Sequence, residues 1–418
     1  MTFGVGAMSR TSPDSTVAES REGIPIKDNH AFAAVFLYLA GALLVLIALN
    51  LAVGLTSPRH TNRFRLDPFL EILGRVDGAS YEQILLNGYT YSRERCTTAV
   101  FFPGYPFVAR SLYDCGMPAR WALLTTSWSS LLGALWLAQR YLSERIPQDR
   151  EAANLALAAL ALNPMTFYMW FMYSEATFLL LLVLLLALMQ RRAPPVVVAL
   201  VCGALTGVRS AGVAAIPVVL IYAWVHRPAP GLRLVNVGLA SAICAWGLTL
   251  FAWQMHVDFG DALAFVHAQE PYGRVPNLAE KLQSLATLGP LRRMFNPEAF
   301  GYWDKTHNSS LAVFNNQVGD ALFWSLFTVL IGVGAWKRWL NWQELLLSGL
   351  LLAFATWFQA DRNDMASQGR YMSVIFPAYI TAGRLLAGVG WEMRLTIAAV
   401  AAGLYVNYTV NFSVGNAW

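Results

Sequence analysis

The sequence predicts an all-α integral membrane protein with about eleven transmembrane helices, and three observations carry that prediction. Of 418 residues, 56% are hydrophobic and only 13% charged, about half the charged share of an ordinary soluble domain. Apolar runs close to the ~20 residues that cross a ~30 Å hydrocarbon core recur along the chain. The basic residues between those runs fall into an alternation that a single orientation satisfies. The formal net charge of +5 is spread over the loops and not gathered in one basic domain, which points to retention at a membrane and excludes nucleic acid as the natural partner.

Taken in order, residues 1–30 are rich in Ser and charge, predicting a disordered cytoplasmic tail ahead of one polytopic domain over 31–418. The first apolar run, 32–55, is too long for the core of a cleaved signal peptide and reads as a signal anchor. Further runs cover 120–140, 151–168, 174–190, 194–209, 211–226, 234–254, 319–336, 343–360, 371–388 and 391–410. Asn163-Pro164 should break or kink the third of them, because proline removes a helix donor and clashes with the preceding turn. The stretch GALTGVRSAGVAAIP, 203–217, places an arginine and a Gly/Pro-rich break between two apolar halves, predicting two short or re-entrant helices. With the N-terminus inside, Arg140, Arg145 and Arg150, Arg191 and Arg192, Arg227 and Arg233, and Lys337 and Arg338 all become cytoplasmic. The long loops 56–119 and 255–318 then share the outer face, periplasmic in a bacterial cytoplasmic membrane or lumenal in an endoplasmic reticulum. Arg59, Arg63 and Arg65 stand against this orientation, although long translocated loops obey the rule weakly.

No repeat of 20–50 residues is present, which excludes solenoids. Cys202 and Cys244 lie in apolar runs and read as packed thiols, whereas Cys96 and Cys115 share the first outer loop and form a candidate disulfide. The six histidines are scattered with no metal-ligand spacing.

The chemistry is expected on the outer face. In RVDGASYEQILLNGYTY, Ala79, Tyr81, Ile84, Leu85 and Tyr89 suit one face of a short interfacial helix with Asp77 at its N-terminus, either as a helix cap or as a reactive carboxylate. The segment 101–106, FFPGYP, reads as a rigid turn between interfacial pieces. Tyr173-Ser174-Glu175 sets a second carboxylate at the edge of a span, again either a cap or a functional group. Arg209 and Arg370 could pair with a carboxylate such as Asp361 or Asp364, or bind a lipid phosphate bidentately.

In their order these motifs resemble the PIG-V family of membrane mannosyltransferases and its bacterial relatives. The resemblance rests on Val76-Asp77-Gly78 with Tyr81 and Asn87-Gly88-Tyr89, then Phe101-Phe102-Pro103 with Tyr105-Pro106, and the block from Asn163-Pro164 to Tyr173-Ser174-Glu175. It continues through Arg209-Ser210-Ala211-Gly212, Gly260-Asp261 with Phe265 and Ala268-Gln269, and Gly369-Arg370-Tyr371 with Pro377. It runs through nearly the whole span from 75 to 377. Val76 stands where the family usually has Trp, and Ala211 where eukaryotic members have Asn, which puts the sugar and acceptor subsites in question.

What the resemblance implies is a GT-C glycosyltransferase fold with outer-face interfacial helices. The implied reaction is inverting transfer, by analogy of mannose, from a polyprenyl-phosphate donor to a lipid-linked or glycan acceptor. Asp77 would be the general base, Arg209 and Arg370 would hold the donor phosphate, Glu175 would orient the acceptor or hold an arginine, Tyr81 and Tyr105 would offer flat faces to a sugar ring or isoprenoid, and Gln269 and Tyr371 would line the donor and acceptor subsites. No cofactor is implied; the first outer loop has no D-x-D motif, and a divalent cation is left open. Membrane lipids are partners by composition, and no docking surface for a partner subunit is legible. A transporter or flippase of lipid-linked saccharides is the alternative, favoured by Arg209 beside a broken span. Trp303-Asp304 is a second candidate carboxylate, within a stretch, 273–318, whose Lys281, Arg292 and Arg293 suit lipid headgroups.

Overall fold

The computed structural model describes residues 30–56, 66–226, 230–272, 287, 316–359 and 367–414. The N-terminal tail, Trp303-Asp304, Lys281, Arg292, Arg293, Asp361 and Asp364 lie outside these. The described residues form helices and turns with no strand.

Helix α1, His30–Thr56, turns Phe32, Phe36, Leu39, Leu43, Leu46 and Leu55 outward. Such an apolar exterior suits contact with acyl chains and would be costly in water. After α2, Leu66–Leu73, and α3, Asp77–Asn87, helix α4, Gly104–Asp114, leads into α5, Ala119–Arg145. Helix α5 is the central post: Ala122, Leu123, Ser127, Ser130, Leu131, Ala134, Ala138 and Tyr141 are buried at helical spacing, and the helix packs against α1, α6, Arg150–Ala161, and α7, Glu175–Gln190. Helices α8, Pro195–Val208, and α9, Ile216–His226, come next. The rest comprise α10, Pro230–Ile243, α11, Trp246–Phe259, the short α12, Ala264–His267, α13, Asn316–Trp336, and α14, Trp342–Gln359. The chain closes with α15, Gln368–Ser373, α16, Phe376–Ala387, and α17, Trp391–Val414, which packs back on α1.

Among the described residues four helices are long and apolar enough to cross a membrane: 32–55, 233–259, 319–336 and 391–414. The count of about eleven is therefore not reached. Helix α6 and the 3₁₀ turn Pro164–Trp170 form a fifth span only if their 65° bend is allowed. The physical reason is that several apolar runs become short helices. Asn163-Pro164 bends the third run as expected, Asn163 accepting from Met165 N at 2.8 Å while its amide donates to the Tyr379 hydroxyl at 2.7 Å. The run 194–226 divides into α8, a 3₁₀ turn over Ser210–Ala215, and α9, with Arg209 extended at the break. Small residues set the closest crossings. A Cβ on Gly247 would meet the α8 backbone at Gly203 and Gly207, and one on Gly383 would meet the α6 backbone at Ala152 and Ala156.

Candidate active site

Asp77 is the first residue of α3, and Val76 before it has φ 60° and ψ −113°. A β-branched residue at positive φ is strained, and such strain clusters at functional sites. Val76, not Asp77, occupies the N-cap position, and it makes no side-chain capping bond. Asp77 Oδ2 accepts from Arg370 Nη1 at 2.6 Å, which gives the carboxylate a partner outside its own helix.

Arg370 Nε donates to Glu175 Oε1, and Arg209 Nη1 reaches the same oxygen at 2.5 Å. Two carboxylates and two guanidiniums thus form one continuous chain: Asp77, Arg370, Glu175, Arg209. Ser174, the N-cap residue of α7, makes no side-chain capping bond. Ser174 Oγ accepts from Tyr81 and from Arg209 Nη1, each at 3.0 Å. The side chain of Glu175 is 1% exposed, those of Arg370 and Arg209 8% and 12%, and that of Asp77 22%. Asp77 is the end of the chain that opens outward. Three rings surround the Arg370 guanidinium, Tyr173 at 4.4 Å, Tyr168 at 5.4 Å and Tyr371 at 5.9 Å, and Tyr371 also lies 5.3 Å from the Arg209 guanidinium. Cation–π attraction thereby supports both cations in a desolvated place.

The expectation that Tyr81 and Tyr105 offer ring faces to a ligand is corrected. Both are buried: Tyr105 bonds Leu123 O at 2.9 Å and Ser127 Oγ at 2.8 Å, and its ring meets that of Tyr81 edge-on at 4.9 Å. They brace Ser174 from below. Burial raises the Tyr81 phenol well above its usual range, so it remains a donor to Ser174. The predicted interfacial face also shifts by one position, with Gly78, Tyr81, Ile84 and Leu85 buried and Ala79 exposed. Cys96 and Cys115 are separate, exposed thiols, so the structure does not join the candidate disulfide. Gln269 follows α12, away in sequence and on a different element from the Asp77 chain.

One residue of this site escaped the sequence reading. Asp320, buried in α13, accepts from Ser367 N and Gly369 N, both at 2.7 Å, and so holds the start of the helix that carries Arg370. Ser367 itself has φ 63°. An acid inside an apolar run was the signal that could have found it.

A second polar group lies on the α11–α12 side. Asp261 Oδ2 accepts from Tyr91 at 2.7 Å and lies 2.7 Å from His267 Nδ1, with Arg93 at 3.5 Å. The Tyr91 hydroxyl, followed by His267, holds the Asp261 carboxyl well below the usual carboxylate range. Among the described residues no group of three or more His, Cys, Asp or Glu could hold a metal ion.

No protein-family model and no curated protein match the chain. Crystal structures of the Archaeoglobus fulgidus oligosaccharyltransferase are similar over 90% and 89% of this chain, at 13% and 15% identity and a TM-score of 0.37. One is tethered with an acceptor peptide containing the NVT sequon, the other is a complex with Zn and sulfate. The chain spans about half the length of those archaeal chains, 55% and 53%. A likeness this distant assigns neither an activity nor a substrate to this chain.

Proposed function

We propose that the protein is a membrane glycosyltransferase of the GT-C kind that transfers a sugar, mannose in the first instance, from a polyprenyl-phosphate donor to a lipid-linked or glycan acceptor. The observation that supports it is the chain Asp77–Arg370–Glu175–Arg209, buried at Glu175 and open at Asp77. A donor carrying its leaving phosphate on a lipid brings anomeric carbon and charge to the membrane boundary together. The acceptor hydroxyl oxygen forms the new bond to the anomeric carbon while the bond from that carbon to the phosphate oxygen breaks. Asp77 takes the hydroxyl proton, and the electron pair departs on the phosphate. A guanidinium has five N–H donors, and Arg370 and Arg209 each keep some beyond those engaged by the carboxylates. These would stabilise the growing phosphate charge. Glu175 is the fixed counter-charge that keeps two cations in one desolvated place. The mannosyl and polyprenyl-phosphate choices rest on the sequence resemblance.

The test is transfer of radiolabelled mannose from a polyprenyl-phosphate-mannose donor to glycolipid extract in membranes holding equal amounts of wild type or Asp77→Asn. Transfer lost in the variant supports the reading. Transfer unaffected by the substitution removes Asp77 from the mechanism, and absence of transfer together with saccharide-lipid movement between leaflets would favour the flippase.

A further inference from the structure

Helix α7 carries Glu175 at one end and Gln190 at the other, about 22 Å away at 1.5 Å per residue. At that far end a cavity of about 560 Å³ opens between α5, α7, α9 and the start of α14. Its volume falls within the roughly 300–1,000 Å³ of small-molecule sites. Tyr141, Gln190, Arg192, Tyr222, His226 and Trp342 are among its lining residues. Most of the polar wall is already engaged: Tyr141 donates to Glu344 at 2.6 Å, and Tyr222 donates to Ala193 O at 2.6 Å. Arg191, next to the cavity, is paired with Glu144.

Among the remaining polar groups the exposed Arg192 and the buried Gln190 Oε1 are complementary. Arg192, held at φ 54°, has no acidic partner among the described residues. Gln190 Oε1 is buried and accepts no hydrogen bond among the described residues. An unsatisfied buried acceptor costs about 1–3 kcal/mol, so it points to a donor that the protein itself does not supply. A lone cation calls for an anion, and a lone acceptor calls for a hydroxyl. One small molecule offers both: a phosphate ester of a polyol. Val225 and Trp342, both lining the cavity, are exposed, as expected where headgroups and acyl chains meet.

We propose that this cavity binds the phosphate and hydroxyl of a polyol phosphate ester, most simply the phosphoglycerol headgroup of an anionic lipid, with Arg192 on the phosphate and Gln190 on a hydroxyl. It lies at the opposite end of the bundle from Asp77 and does not depend on the transferase reading.

The experiment uses the full chain, purified in detergent and stripped of lipid, with phosphatidylglycerol, phosphatidylcholine or sn-glycerol 3-phosphate added, read by native mass spectrometry and by melting temperature. Phosphatidylglycerol binds and raises the melting temperature, phosphatidylcholine does not, and Arg192→Gln weakens phosphatidylglycerol binding about tenfold or more. Arg192→Lys retains most of it, which separates loss of charge from loss of fold. Equal binding of the two lipids, or unchanged binding by Arg192→Gln, overturns the proposal. Arg192-dependent binding of sn-glycerol 3-phosphate as tight as that of the lipid upholds the ester chemistry and overturns the lipid as its source.

Discussion

Asp77 and Glu175 are both carboxylates touched by Arg370, yet their surroundings differ: Glu175 is sealed between two guanidiniums, whereas Asp77 faces outward from the first turn of a helix. Only the second is open enough to take the base role proposed for this site. Replacing Asp77 with Asn keeps its shape and removes its basicity, and the sugar-transfer rate is expected to fall about 10²–10⁴-fold with little change in melting temperature. Glu175→Gln has another outcome. It leaves the buried Arg209 without its acidic partner and Arg370 with Asp77 alone, which costs about 3–5 kcal/mol. That loss is measured as a reduced melting temperature in detergent, alongside lost transfer. Val76 carries positive φ without the freedom of glycine. Val76→Gly is expected to stabilise the fold by about 1–3 kcal/mol, read by the same melt, without raising the transfer rate.

At the level of elements, the features that local chemistry dictates were legible: the helix opening at Asp77, the bend at Asn163-Pro164 and the division at Arg209. Proline, glycine and isolated charges act over a few residues, so sequence reveals them. That Glu175 could hold an arginine was among the readings, but which arginine, and the partner of Asp77, were not legible. Arg370 was offered acids close by in sequence, whereas its partners come from α3 and α7. Apolar length also misled, because α7 and α8 are hydrophobic on every side through burial in the bundle and are still short. Close crossings follow the same logic: Gly383→Leu forces α16 off α6 and is expected to abolish the folded monomer peak in size-exclusion chromatography. The Asp261 group ties Tyr91 to α12. A carboxyl depressed in the folded state contributes stability above its unfolded value, near ~4, and loses it as pH falls through the folded value. The melting-temperature gap between wild type and Asp261→Asn should therefore be constant near neutral pH and shrink below about pH 4.

For the whole molecule, the prediction concerns sides. Cys96 and Cys115 are exposed near the Asp77 end, and Cys202 and Cys244 are buried. A membrane-impermeant maleimide applied to intact cells is expected to label the first pair without prior reduction and to leave the second unlabelled. Labelling only after permeabilisation would reverse the orientation, and labelling only after reduction would restore the disulfide. The bond from Arg370 to Asp77 closes a loop of 293 positions. During synthesis, then, the ribosome releases Asp77 and Glu175 long before the residue that joins them. A nascent chain halted between Arg209 and Arg370 has Arg209 alone to pair with Glu175. Activity thus arrives late and all at once, and complementary fragments split within α14 should be inert separately and regain transfer when co-expressed.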